Sequence, residues 1–256
     1  MKIYCTLDTE TVGGATHPKG IYHLGGIIHD RKGNALGCFN YLIAEWYGEV
    51  ANDDYAKANM GRYDKMLREG IATLIPTEDA AIAAVKNLCD YLGVTTMTAF
   101  NSGFDYCKTK CATLLEGREF VDLFLMAAQI LGQQKGYETF CRQHNLLSKS
   151  RKSIAMSAES FYAFITNTPH YCEEHTALED AKIERDIFLA CVRQHRAFTA
   201  NTHFYDYEKK FDLINLLYKI KENHLQQGSI KEQEKERARL LNKEIGKLLR
   251  KGDIDV

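Results

Sequence analysis

Three short stretches of this chain carry residue types and spacings suited to handling a divalent cation. The first is Asp8-Thr9-Glu10, at the end of the apolar run 3–7. On a strand, residues i and i+2 share a face, so these two carboxylates project side by side. Without a counter-charge they repel each other and are costly to bury. A hard divalent cation removes both problems. A solvated strand end is the plain alternative, since D-x-E arises easily by chance. The second stretch is Asn101-Ser102-Gly103-Phe104-Asp105, directly after the apolar run 94–100. It places Asp105 near a helix start, at the sheet edge that holds Asp8 if the two strands run parallel. An aspartate favoured there by the helix dipole alone fits equally well.

The third stretch is His175-Thr176-Ala177-Leu178-Glu179-Asp180. Thr176 and Glu179 match the T-x-x-E capping box, with Thr176 as N-cap. His175 is then N′ and Asp180 is N4, the two positions that a hydrophobic staple brings together. The expectation is a carboxylate fixed on a helix and an imidazole on the loop before it. An imidazole, with an ordinary pKa of about 6.5, can take a proton near neutral pH. A solvated helix start with an incidental histidine is the alternative.

The chain order D-x-E, N-x-x-F-D, H-x4-D resembles the DEDDh (DnaQ-like) exonucleases, which include proofreading subunits, RNase T and oligoribonuclease. The stretch Glu174-His175-Thr176-Ala177-Leu178-Glu179-Asp180-Ala181 is particularly similar to the family's third motif. The resemblance spans about residues 1–195. It implies an RNase H-like fold and stepwise hydrolysis at the 3′ end of DNA or RNA, releasing nucleoside 5′-monophosphates. It implies Asp8, Glu10, Asp105 and Asp180 as ligands of two Mg²⁺ or Mn²⁺ ions, and His175 as general base. It also implies contacts from the backbone around Thr9 and Thr11 to the terminal 3′ hydroxyl. Asn101 and Phe104 would shape the pocket for the end nucleotides, although Phe104 serves equally well as core. Phe100 stands where many members carry histidine, which bears on substrate contacts and not on the metal ligands. Asp122 matches an aspartate that is more often structural than catalytic.

The elements that must position these residues are legible as runs and breaks. Strands are expected over 3–7, 21–28, 36–43, 94–100 and 120–122, the second and third forming a hairpin around Asp30-Arg31-Lys32-Gly33-Asn34. Thr77 opens a helix that ends at Gly93. Further helices are expected from 101 through 115, over 157–165 and over Ala177–Arg193. The sum is an α/β fold: an RNase H-like mixed five-stranded sheet flanked by helices, with a C-terminal helical appendage. Residues 1–200 form the expected exonuclease domain and 201–256 the extension. Residues 51–70 are helix-compatible and lie outside the sheet. Tyr47, Tyr55 and Tyr63, with Arg62, Lys65 and Arg68, could stack bases and contact phosphates, or form a solvated helix face.

Bulk properties narrow the class. With 256 residues, 45% hydrophobic and 26% charged, the chain suits a globular protein with a sizeable core. The net charge of −1 neither advertises nor excludes nucleic acid. No apolar stretch has membrane-spanning length, and eight cysteines without a CxxC pair suggest free thiols in a cytoplasmic setting. Cys107, Cys111, Cys141 and His144 offer a loose zinc alternative. From Tyr205 onward, 12 basic and 10 acidic residues are too balanced to imply nucleic acid. Residues 205–251 better suit self-association or a partner helix. Two other readings stay open: an RNase H-type endonuclease, and an inactive nucleic-acid-binding module with an interaction tail.

Overall fold

The computed structural model describes residues 2–13, 18–54, 56–148 and 153–194. Tyr55 and the expected extension over 201–256 lie outside them, as does the proposed association segment 205–251. The elements run β1 (Ile3–Val12), β2 (Gly20–Asp30), β3 (Ala35–Ile43), α1 (Ala44–Tyr47), α2 (Met60–Arg68), β4 (Thr73–Ile75), α3 (Glu78–Leu92) and β5 (Thr96–Ala99). They continue with α4 (Ser102–Cys107), β6 (Glu119–Asp122), α5 (Leu123–Ile130), α6 (Lys135–Gln143), α7 (Ala158–Thr166) and α8 (Ala177–Arg193).

The strand order is β4-β3-β2-β1-β5-β6. β1, β2 and β3 form an antiparallel meander, whereas β5 and β6 run parallel to β1. This is the expected α/β mixed sheet flanked by helices, with six strands and not five. The extra strand, β4, pairs parallel with β3 through only three residues, two of them exposed. So short an edge strand has no alternation to detect. The helix expected from 101 through 115 is also two pieces: α4, then a 3-10 helix over Lys110–Leu115.

Local chemistry explains the remaining boundaries. Thr77 caps α3 by accepting the Ala80 amide at 3.2 Å, and Gly93 ends that helix in a left-handed conformation at φ 69°. Ser157 and Ser160 close a reciprocal capping box at the start of α7.

Alternation along β1 divides the interior. Tyr4 belongs to a core built with α5, α6, α7 and α8, whereas Cys5 and Leu7 belong to a second core under α3. Leu7, Ile21, Leu24, Ile28 and Leu42 are fully buried. Each such side chain contributes about 1.5–3 kcal/mol of transfer free energy. No helix among the described residues is long and apolar enough to cross a membrane.

Candidate active site

Asp8 and Glu10 share the face of β1 that carries Tyr4. That face meets α8, since the Tyr4 ring packs on Phe188 with centroids 4.7 Å apart. Opposite Asp8 in the antiparallel ladder stands Gly25 of β2. A Cβ at Gly25 would lie 2.2 Å from the backbone nitrogen of Leu178. The first turn of α8 therefore rests directly on the strand, an approach that only glycine permits. This contact carries Asp180, one half-turn further on, to the end of β1.

The parallel pairing of β1 with β5 supplies the third carboxylate. Asn101 turns the chain out of β5 in a left-handed conformation at φ 64°. In α4, Asp105 is 2% exposed and accepts a hydrogen bond from the Thr9 hydroxyl at 2.7 Å. Thr9 thus ties the first strand to α4 through its side chain. Asp122 is a support: its Oδ2 accepts the Ser102 amide at 3.0 Å and the Ser102 hydroxyl at 2.9 Å, and its Oδ1 accepts the Leu125 amide at 3.2 Å.

At the start of α8 the structure corrects one expectation. Thr176 is the N-cap, but its hydroxyl makes no capping bond, and Glu179 pairs with Lys182 at 2.6 Å. Instead the Ala177 amide donates to His23 Nδ1 at 3.3 Å. Burial holds the His23 pKa down at about 4, so the ring is neutral. With Nδ1 accepting, Nε2 carries the proton and donates to Asn40 Oδ1 at 2.6 Å. Asn40 in turn donates to the Ile71 carbonyl at 3.0 Å. A buried imidazole from β2 does the work expected of the capping box.

The outcome is a convergence across the chain. Glu10, His175 and Asp180 each offer a ligand atom, all within 4.8 Å of one another. The carboxylates perturb one another strongly. Burial, then the charges of Asp105 and Glu173, push Asp8 well above the usual carboxylate range. Burial, then Asp8, Asp180 and Asp105, do the same to Glu10. Asp105 is raised to about 7, chiefly by burial against the opposing Thr9 bond. Asp180 is raised to about 9 by burial and by Asp8. Such crowding is unfavourable unless protons or cations compensate it.

Two carboxylates join the cluster that sequence reasoning passed over. Glu184 is 4% exposed, accepts the Phe100 amide at 3.0 Å, and is raised well above its usual range by burial and by Asp8 and Asp105. Its i+4 spacing from Asp180 on one helix face was a usable signal. Glu173 is raised to about 7 by burial and by Glu159, and its own charge acts on Asp8, Glu10 and Asp180. It lies in a loop, where spacing carries no such signal.

Hard carboxylate oxygens with one imidazole suit a divalent cation. Asp180 Oδ1 is buried and finds no hydrogen-bond partner among the described residues, as an oxygen reserved for a cation would be. Asn101 Oδ1 is likewise buried and unpartnered among them. Thr11 is half-buried, just past a register shift in β1, and Phe104 is half-buried beside Asp105.

The stacking face considered from the sequence is corrected at Tyr63. Tyr63 is fully buried and donates to the His175 carbonyl at 3.0 Å, so it has no face for a base. Arg62 bonds to the Glu174 carbonyl, Tyr47 donates to Asp64 at 2.7 Å, and Lys65 pairs with Glu69 at 3.8 Å. Arg68 is exposed at the end of α2. The zinc alternative fails as well. Cys111 and Cys141 are buried in separate cores, on opposite sides of the sheet.

No family model matches this chain, and no curated protein sequence matches it. Among solved structures, that of cell-death related nuclease 4 (CRN-4) is similar, with a TM-score of 0.43 and 13% identity, covering 78% of this chain and 67% of that one. A likeness of that depth carries no functional argument.

Proposed function

We propose that this chain is a 3′→5′ exonuclease of the DEDDh type, on an RNase H-like fold, releasing nucleoside 5′-monophosphates from DNA or RNA. The observation that supports it best is the gathering of Glu10, His175 and Asp180 within 4.8 Å, beside Asp8 and Asp105. In this reading Asp8, Glu10, Asp105 and Asp180 hold two divalent ions, Mg²⁺ or Mn²⁺. When bound, such ions offset the anionic charge of the phosphodiester and lower the pKa of the attacking water.

The residues of the chain do the rest. The His175 imidazole takes the proton of the attacking water. Thr9 keeps Asp105 oriented through its hydroxyl, while the backbone around Thr9 and Thr11 meets the terminal 3′ hydroxyl. Asn101, with its buried carbonyl oxygen, and Phe104 border the end nucleotide. The partner is a nucleic-acid 3′ end, with residues 205–251 left for self-association or a partner helix. A cytoplasmic location accords with the free buried thiols of Cys5, Cys89, Cys111, Cys141 and Cys191.

The test uses end-labelled single-stranded DNA and RNA with Mg²⁺, Mn²⁺ or EDTA. Stepwise shortening from the 3′ end, abolished by EDTA and by Asp8→Ala, is expected. His175→Ala should slow the reaction by about 10²–10⁴-fold while leaving cation binding in place. Activity that survives both substitutions overturns the reading. Cutting of a circular substrate moves the assignment to an RNase H-type endonuclease. Binding of the strand without cleavage moves it to an inactive module.

A further inference from the structure

His175 holds a left-handed backbone conformation at φ 53°. That region is uncommon for residues other than glycine, histidine entering it more readily than most, and it persists where the surroundings hold it. Here they do. The Arg62 guanidinium donates to the carbonyl of Glu174, and the Tyr63 hydroxyl donates to the carbonyl of His175 at 3.0 Å. Two consecutive residues of α2 therefore grip two consecutive carbonyls of the loop. Arg62 Nε also lies 3.9 Å from the Glu174 carboxylate, a solvent-exposed pair that adds little by itself.

The grip is rigid at Tyr63. Its ring is fully buried and meets Tyr22 edge-on at 5.5 Å and His23 edge-on at 5.2 Å. Because its own proton goes to the His175 carbonyl, the Tyr63 oxygen accepts from the Tyr22 hydroxyl, 3.1 Å away. From the other side, His23 takes the Ala177 amide at 3.3 Å. The backbone of 174–177 is thus pinned at three points. The motion of the imidazole is left to its side-chain torsions.

We propose that Tyr63, assisted by Arg62, is a positioning residue. Its hydroxyl imposes the left-handed backbone of His175 and so aims the imidazole at Glu10 and Asp180. The clamp acts on the backbone of 174–175. Its effect on turnover rests on the nuclease reading above.

The experiment compares wild type, Tyr63→Phe, His175→Ala and the double variant. Tyr63→Phe keeps the packed ring and removes two hydrogen bonds, the one given to the His175 carbonyl and the one taken from the Tyr22 hydroxyl. Amide hydrogen exchange should quicken about tenfold at residues 174–178 and stay unchanged in the sheet. With substrate, kcat should fall about tenfold while KM and Mn²⁺ affinity stay within about twofold. In the His175→Ala background, Tyr63→Phe should cost nothing further. Unchanged exchange at 174–178 overturns the clamp. So does unchanged kcat, or an equal fall in the His175→Ala background. If the wild type hydrolyses no substrate, the nuclease reading falls, and the exchange data alone decide for or against the clamp.

Discussion

The Glu184 carboxylate accepts the backbone amide of Phe100 at 3.0 Å, joining α8 to the exit of β5 inside the acidic cluster. Gln offers the same acceptor without the charge, whereas Ala leaves a buried amide unsatisfied. Glu184→Gln should match or exceed wild-type stability in the metal-free protein. Glu184→Ala should lose about 1–3 kcal/mol, read from urea denaturation. Equal losses for the two variants would show that the bond to Phe100 has no special weight.

Gly25 bears the first turn of α8, and an added methyl would meet the Leu178 nitrogen at 2.2 Å. Gly25→Ala should cost at least about 1–3 kcal/mol and abolish thermal stabilisation by Mn²⁺, because α8 must retreat with Asp180. Gly61, in α2, has nothing within 4 Å of the same methyl, so Gly61→Ala serves as the control and should match wild type or gain up to about 1 kcal/mol. A Gly25→Ala protein that still responds to Mn²⁺ would break the link between this contact and the site.

Asp8 and Asp122 are both acidic residues on strands, with opposite expected behaviour. Asp8→Asn removes a crowded buried charge, so the metal-free protein should melt higher while turnover is lost. Asp122→Ala deprives the Ser102 amide and hydroxyl and the Leu125 amide of their acceptor, and should destabilise by several kcal/mol or prevent folding. Calorimetry of the two variants, with and without Mn²⁺, reads both effects.

Stability should also depend on pH in a defined direction. Asp180 at about 9, and Asp105 and Glu173 at about 7, lie above ordinary carboxylate values, so the folded protein holds protons that the unfolded chain releases near pH 4. Their contribution is fully present below about pH 4 and is lost as pH rises through about 7 to 9. His23, lowered to about 4, acts oppositely: its contribution is present above the unfolded histidine value of about 6.5 and is lost as pH falls towards 4. Above about pH 6.5 the His23 effect is complete while the carboxylate effect still operates, and buried thiols such as Cys111 and Cys191, raised to about 12, act in the same direction, so the metal-free melting temperature should fall from there towards pH 9. Saturating Mn²⁺ should flatten the fall. A metal-free melting temperature that rises there would contradict the crowding.

Much of the architecture was legible from local signals. The meander, the Thr77 cap, the Gly93 stop and the α8 range of Ala177–Arg193 all follow from patterns within a few turns or one strand pair. Elements below that length scale were not legible. β4 has three residues, and α4 passes into a 3-10 helix within one turn. The capping box at Thr176 failed because a competing acceptor, His23, comes from 154 residues away in the chain.

For the site, the sequence alone determined which residue types stand at the ends of which elements, and that Asp8 and Glu10 share a face. Backbone propensity and side-chain periodicity act over a few residues and are written locally. Tertiary structure decided that Asp105 and Asp180 reach β1, that Glu173 and Glu184 join them, and that Tyr63 serves the His175 backbone and not a base. Those distances depend on strand order, on a glycine that lets a helix touch a sheet, and on hydrogen bonds between segments 96 to 154 residues apart. Local spacing has no term for any of them.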